Sequence, residues 1–417
     1  MDVARDRTAG AGATPRAAPA SIETPRSWLV ATAVLAVLTC SYGAPLVVSV
    51  ALKDIAADLG SARSVPALAG ASVWMGFGLG AIAMGWIADK VGVRWTTLFG
   101  AVMMAAGMAL ASQGGAWSLV LGHALLVGVL GGGAINIPLT LYVTHWFDRR
   151  RGSAVALIQS GQYIAGALWP ALIATGVASI GWRTTMLATG VLVMLAVAPI
   201  ALLCLPRAPE RASGAAAAAA TARLARIGSL SRRSTFLLLC LAGFLCCTPM
   251  AMPTTHLVAL CSDLGIAPAR GATMLSVLLG CAFLSRQFWG WMADRHGGLA
   301  TVLAGSVCQA TAIGGFLLTQ DEAGLFVVAA GFGLGFSGII PAYIVAVREL
   351  FPADEASWRL PLWFFANLCG MTLGGWLAGH LYDLYASYAP GFATGLVLNL
   401  GNIAVMGFLV LRQQRAA

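Results

Sequence analysis

Only 10% of this 417-residue chain is Asp, Glu, Lys or Arg, so few positions can do charged chemistry. Arg286 is one of them. It stands in a run, 271–293, that holds no other charged residue. A guanidinium in apolar surroundings can grip a carboxylate through two parallel N–H donors. Tyr42, Asn136, Gln159, Gln162, Tyr163 and Asn367 are uncharged polar residues inside other apolar runs. They could complete such a site, although for each one alone an interhelical hydrogen bond is the plainer reading. Asp89, Lys90 and Arg94 follow one apolar run, and Asp294 and Arg295 follow another. His256 could carry a proton, or could be a wetted residue at an interface. The nine cysteines show no C-x-x-C pair and no histidine at ligand spacing, so they read as small core residues and no metal or cofactor is expected. Neither Lys53 nor Lys90, the two lysines, follows a glycine as a phosphate loop requires, which argues against an ATP-driven pump.

The elements that must hold these groups are membrane spans. The chain is 59% apolar and its mean hydropathy is +0.82. An ordinary soluble domain carries about 25% charged residues, and no water-facing surface can be built here from so few. Soluble enzymes, nucleic-acid binders and disulfide scaffolds are excluded, and the net charge of +9 speaks of loops at an anionic leaflet rather than of nucleic acid. Stretches without charge run over 27–52, 64–88, 95–147, 152–182, 184–206, 234–262, 296–320, 323–347, 360–382 and 384–411, with 271–293 broken only by Arg286. A span needs about 20 residues. The run 95–147 is therefore two helices, joined at the polar, Gly-rich turn Ser112-Gln113-Gly114-Gly115-Ala116-Trp117. The total is twelve spans. With the N-terminus in the cytoplasm, Lys53, Arg63, Arg183 and Arg270 fall outside and Arg286 within a span; the other twenty of the 25 basic residues fall inside. That asymmetry places both termini in the cytoplasm, in a cell membrane of the bacterial inner type. The expected organisation is a disordered tail over 1–27, a six-helix bundle over 28–205, a cytoplasmic loop over 206–234, a second six-helix bundle over 235–412, and a short tail over 413–417.

The two halves repeat. Gly85-Trp86-Ile87-Ala88-Asp89-Lys90-Val91-Gly92 matches Gly290-Trp291-Met292-Ala293-Asp294-Arg295-His296-Gly297 at five of its positions, each time after the second helix of a half. Trp146-Phe147-Asp148 echoes Leu350-Phe351-Pro352 after the fourth. The first of these segments, extended to Arg94, resembles the G-x-L-a-D-[RK]-x-G-[RK]-[RK] signature of the major facilitator superfamily. That resemblance implies two six-helix bundles around a central cavity that opens to each side in turn. Asp89 sits where it could face the positive N-terminal end of a helix of the other bundle and latch the halves in one state. It could instead simply cap the third helix. A narrower resemblance is to monocarboxylate porters and the oxalate–formate branch. It rests on Ser41-Tyr42-Gly43-Ala44-Pro45, on Trp146 to Ala154, and on Ser285-Arg286. The acidic residue that animal-type porters carry four positions before the arginine is Ala282 here. Their lysine after the first-helix proline is Leu46, and the eleventh span has no lysine.

No Asp or Glu lies deep in any span. Arg286 is eight residues from Asp294, roughly 12 Å along a helix axis, which is long for snorkelling. A charge at a helix centre costs about 2.5–3.5 kcal/mol even on insertion scales, so it calls for a water-filled cavity and an anionic partner. The expected function is secondary active transport of a small organic anion, a monocarboxylate, with a proton or an exchanged anion, by a monomeric unit in the lipid bilayer. The alternative is an exporter of amphipathic or drug-like compounds in which Arg286 is structural.

Overall fold

The computed structural model describes residues 21–207 and 230–415. Residues 208–229 of the expected inter-bundle loop, the first twenty residues of the expected tail and the last two residues of the chain lie outside the described residues. Helices α1 (Pro25–Val50), α2 (Ser64–Val91), α3 (Val93–Ala111) and α4 (Ala116–Thr144) are followed by a long helical segment, Gly152–Cys204. Gly181, at φ 76° and ψ 162°, breaks that segment into α5 (152–180) and α6 (182–204). This backbone region is open almost only to glycine. Helices α7 (Arg232–Asp263), α8 (Pro268–His296), α9 (Gly298–Leu318), α10 (Glu322–Leu350), α11 (Ala353–Tyr385) and α12 (Ala389–Gln414) complete the second half. The described residues form no strand.

The spans are built from small residues that let backbones approach. A Cβ on Gly80 of α2 would lie 2.0 Å from the carbonyl oxygen of Val129 on α4, and one on Gly333 of α10 would lie 2.0 Å from that of Leu278 on α8. Close approach of this kind drives helix association where no hydrophobic force acts between spans. Residues Gly122–Gly132 of α4 are wound as a π-helix, the stretch against which Gly76, Gly80 and Gly107 pack. The first helix starts at Pro25, inside the expected tail. Thr24 caps it by accepting from the Ser27 N–H, and the Ser27 hydroxyl accepts from the Thr24 N–H in return.

The repeat is structural as well as sequential. Gly92 and Gly297 end α2 and α8 at φ 93° and 82° and begin the next helix. Thr96 and Thr301, each four residues on, return their hydroxyls to the Gly92 and Gly297 carbonyls at 2.8 and 2.9 Å. Lys90 lies over the Trp86 ring and Arg295 over Trp291. The second half also holds a buried polar core. Asn399 and Asn402 of α12 bond Ser306 of α9, and the Tyr343 hydroxyl of α10 donates to Asn402 at 3.0 Å.

Candidate functional site

The break in α1 positions the first site residue. Pro45 has no N–H to give the Ser41 carbonyl, and Gly43 lies flat against the Trp169 ring of α5. The helix is interrupted at Tyr42, whose hydroxyl accepts from the Asn136 side chain of α4. The Tyr42 ring meets Phe77 of α2 edge-on at 6.0 Å. From the other half, Arg286 of α8 places its guanidinium carbon 5.2 Å from the ring centroid of Tyr163 on α5. Tyr163 is 4% exposed and meets Phe336 of α10 edge-on at 6.2 Å. Tyr42 lies near both Tyr163 and Arg286, and the Gln162 side chain lies beside the Tyr163 hydroxyl. Five of the expected residues thus meet where α1, α4, α5 and α8 converge. None of the ion pairs among the described residues engages Arg286.

Of the other two, Gln159 joins the group through Thr140, whose hydroxyl donates to the Asn136 carbonyl at 2.8 Å, and Asn367 lies elsewhere. Gln159 donates to the Thr140 hydroxyl at 2.9 Å and ties α5 to α4. Asn367 of α11 is 2% exposed and packs on Gly243 of α7. Both its amide atoms are without a hydrogen-bond partner, as is the Trp363 indole one turn away.

Above Arg286 the halves are in contact. Gly166 of α5 packs on Leu279 of α8, and α2 touches α11 from Arg63 to Gly78, which meets Leu368. Gly85 and Gly290, further along α2 and α8, have open space where a side chain would be. The two ends of the molecule differ, because the hydrogen bonds and ion pairs that join the bundles among the described residues lie on the Arg63 side, and that end is closed by charges that sequence reasoning missed. Asp263 of α7 accepts from Lys53 at 2.8 Å and from both Arg63 nitrogens at 2.5 and 2.8 Å. Asp383 of α11 accepts from the backbone N–H groups of Arg63 and Ser64, at 2.8 and 2.9 Å. It caps the first turn of α2 from the opposite bundle. Arg63 also lies 3.7 Å over the Tyr382 ring and donates to the Tyr388 hydroxyl at 3.1 Å. Burial pushes the Tyr388 phenol above its ordinary range, with Arg63 pulling the other way. The signal for this seal was present in the sequence. Lys53 and Arg63 are two of the four basic residues at that end, and Asp263 and Asp383 end spans there.

His256 is fully buried in the same seal, one turn below Leu260 on α7. Its Nε2 bonds the Gly375 carbonyl at 2.7 Å, and its Nδ1 is 3.3 Å from the Tyr388 hydroxyl. At the open end, Asp89 and Arg94 line a cavity of about 520 Å³ with Gly85, Tyr142, His145 and Arg207. Asp89 and Lys90 are exposed, as are Asp294 and Arg295. Arg94 donates to the Leu205 carbonyl at 3.4 Å. No side chain caps the first turn of α3, so Asp89 is not serving there.

The sequence model of the Major Facilitator Superfamily matches residues 31–260 and 239–417. The chain belongs to that superfamily. Its relatives include monocarboxylate transporter 13 of Rattus norvegicus, 26% identical over 326 residues, which are 77% of this chain and 74% of the relative. An MFS-type transporter of Gibberella moniliformis is 24% identical over 292 residues, 69% of each chain. Among solved structures, a bacterial homologue of the human lysosomal transporter Spinster, inward-facing and occupied, superposes with a TM-score of 0.67 at 13% identity, covering 95% of this chain and 98% of its own. A mutant of the peptide transporter POT superposes at 0.72 and 16% identity, covering 93% and 95%. At these identities the superpositions establish the fold. The protein is a polytopic membrane transporter of this superfamily and not an enzyme.

Proposed function

We propose that the chain moves a small monocarboxylate across the cell membrane, with Arg286 as the residue that holds the carboxylate. The observation that carries this reading is a guanidinium at the junction of the bundles, stacked on Tyr163, with no acidic partner among the described residues. Tyr42, Asn136 and Gln162 stand near enough to orient the rest of the ligand. Similarity to monocarboxylate transporter 13 supports the same class. With the Asp89 end in the cytoplasm, as the arginine distribution argues, the arrangement is inward-facing. Asp89, Lys90, Arg94, Asp294 and Arg295 then belong to the gate that is open here.

Inward movement of an anion against a negative-inside potential is uphill by about 2.3 kcal/mol per charge per 100 mV, so a proton enters with it or a second anion leaves. The proton-linked route is our reading, and exchange is its rival. Uptake of labelled monocarboxylates into vesicles containing the purified protein tests the assignment. Arg286→Ala should abolish uptake, and native uptake by that variant would overturn it. The alternative is export of amphipathic or drug-like compounds, and a fungal MFS-type transporter matches at similar identity. Acid-independent export of such compounds by Arg286→Ala would establish it.

A further inference from the structure

The seal at the Asp263 end contains a hydrogen-bonded chain whose direction can be read donor by donor. A carbonyl oxygen only accepts, so the His256 Nε2 that lies 2.7 Å from the Gly375 oxygen carries its proton. Arg63 has donors only, so the Tyr388 oxygen 3.1 Å away accepts from it. The Tyr388 hydroxyl proton is then directed at His256 Nδ1, 3.3 Å away, which accepts it. The imidazole is neutral in this arrangement, with one nitrogen donating and the other accepting. A second ring proton would set Nδ1–H against the Tyr388 O–H and strand that hydroxyl proton inside a buried site. It would also place a second cation beside Arg63.

We propose that His256 is a proton sensor built into this seal: it takes up a proton only when the Asp263 end parts, so acidification favours the state open at that end. Every element packed around the ring belongs to the seal. Arg63 precedes α2, Tyr382 and Asp383 close α11, Tyr388 starts α12, and Asp263 with Lys53 lies one ion pair further out. When the bundles separate there, the ring loses Tyr388 or Gly375 and gains water, and an ordinary histidine titrates near 6.5. Proton binding to one state alone shifts the equilibrium toward that state. Between pH 7.5 and 5.5 the ratio of open to closed should rise about tenfold, the ratio of the two binding polynomials for such a histidine. The two carboxylates of the seal are engaged, Asp263 by Arg63 and Lys53 and Asp383 by backbone N–H groups, and the variant His256→Gln separates any response of theirs from that of the histidine.

The experiment uses the full chain in lipid nanodiscs without substrate, where both faces see one pH. Its result is therefore independent of what the cargo is. Spin labels carried on non-canonical amino acids at Ala62 and Ala267, both exposed near the Asp263 end, report the separation there. The long-distance population should grow about tenfold relative to the short one over that range, with a midpoint set by one proton. His256→Gln can donate to Gly375 and accept from Tyr388 yet does not titrate, so it should hold the short distance at both pH values. An unchanged wild-type distribution overturns the proposal without recourse to any variant. A shift of full size that survives in His256→Gln overturns it equally, because the sensor is then a carboxylate.

Discussion

At the scale of single residues, the distinguishing feature is a fork-shaped cation beside an aromatic ring. A guanidinium bonds both oxygens of a carboxylate in one plane, whereas an ammonium offers a single point of charge. Arg286→Lys should therefore weaken monocarboxylate binding about tenfold or more, roughly 1.4 kcal/mol, while Arg286→Ala should leave none measurable. Equilibrium binding to the purified protein reads both. Tyr163 makes a finer test. Its ring holds the guanidinium at 5.2 Å, an interaction of about 0.5–2 kcal/mol that depends on the π face and not on the hydroxyl. Tyr163→Phe should bind within about threefold of the parent and Tyr163→Leu clearly worse. Equal losses in the two variants would mean that the hydroxyl, and not the ring, does the positioning. Arg286 was legible in the sequence because a lone charge in an apolar run needs a reason. Asn399, Asn402, Ser306 and Tyr343 were not, because bonded pairs on different spans leave no mark at any fixed spacing.

At the scale of elements, glycine decides where helices touch and where they stop. Gly80 faces the Val129 carbonyl so closely that a Cβ would lie 2.0 Å from it. Backbone cannot yield as a flexible side chain does, so Gly80→Val should sharply lower the yield of folded protein, judged by monodispersity after solubilisation. Gly297→Ala is milder. At φ 82° and ψ 165° an alanine is strained by about 1–3 kcal/mol, which should lower the melting temperature without abolishing folding. Gly85 and Gly290 meet nothing within 4 Å, and Gly85→Ala should melt as the parent does. A destabilised Gly85→Ala would show that the open end closes in solution more often than the structure implies. The twelve spans, their doubled plan and the Gly-rich turn over 112–117 followed from charge-free runs and an octapeptide that recurs. The π-helical stretch of α4 and the break at Tyr42 needed the structure. Helices apolar on every side carry too weak a periodicity to fix which face meets which neighbour.

At the scale of the whole molecule, the two ends use the same device in opposite places. A carboxylate facing the N-terminal end of a helix in the other bundle was expected from Asp89, and the structure shows that device at the far end. There Asp383 of α11 caps α2 with two backbone hydrogen bonds, and Asp263 holds Lys53 and Arg63. Asp89 stands exposed at the open end. If the bundles rock about the Arg286 level, closing one end opens the other, and each latch stabilises one state only. A carboxylate at a helix N-terminus contributes about 0.3–1 kcal/mol, and up to ~2 when partly buried, so losing one should change the ratio of states by about twofold to thirtyfold. Asp383→Asn should raise the population that is parted at the Asp263 end. Asp89→Asn should lower it, because the state with that end parted is the one in which Asp89 would be engaged. Distances between labels at Ala62 and Ala267 measure both. The residues lie at opposite ends and share no partner, so their effects should add, and the double variant should fall between the two singles. If Asp89→Asn moves the population in the same direction as Asp383→Asn, the two carboxylates are not opposing latches. If it moves nothing, the gate at the open end is closed by other residues.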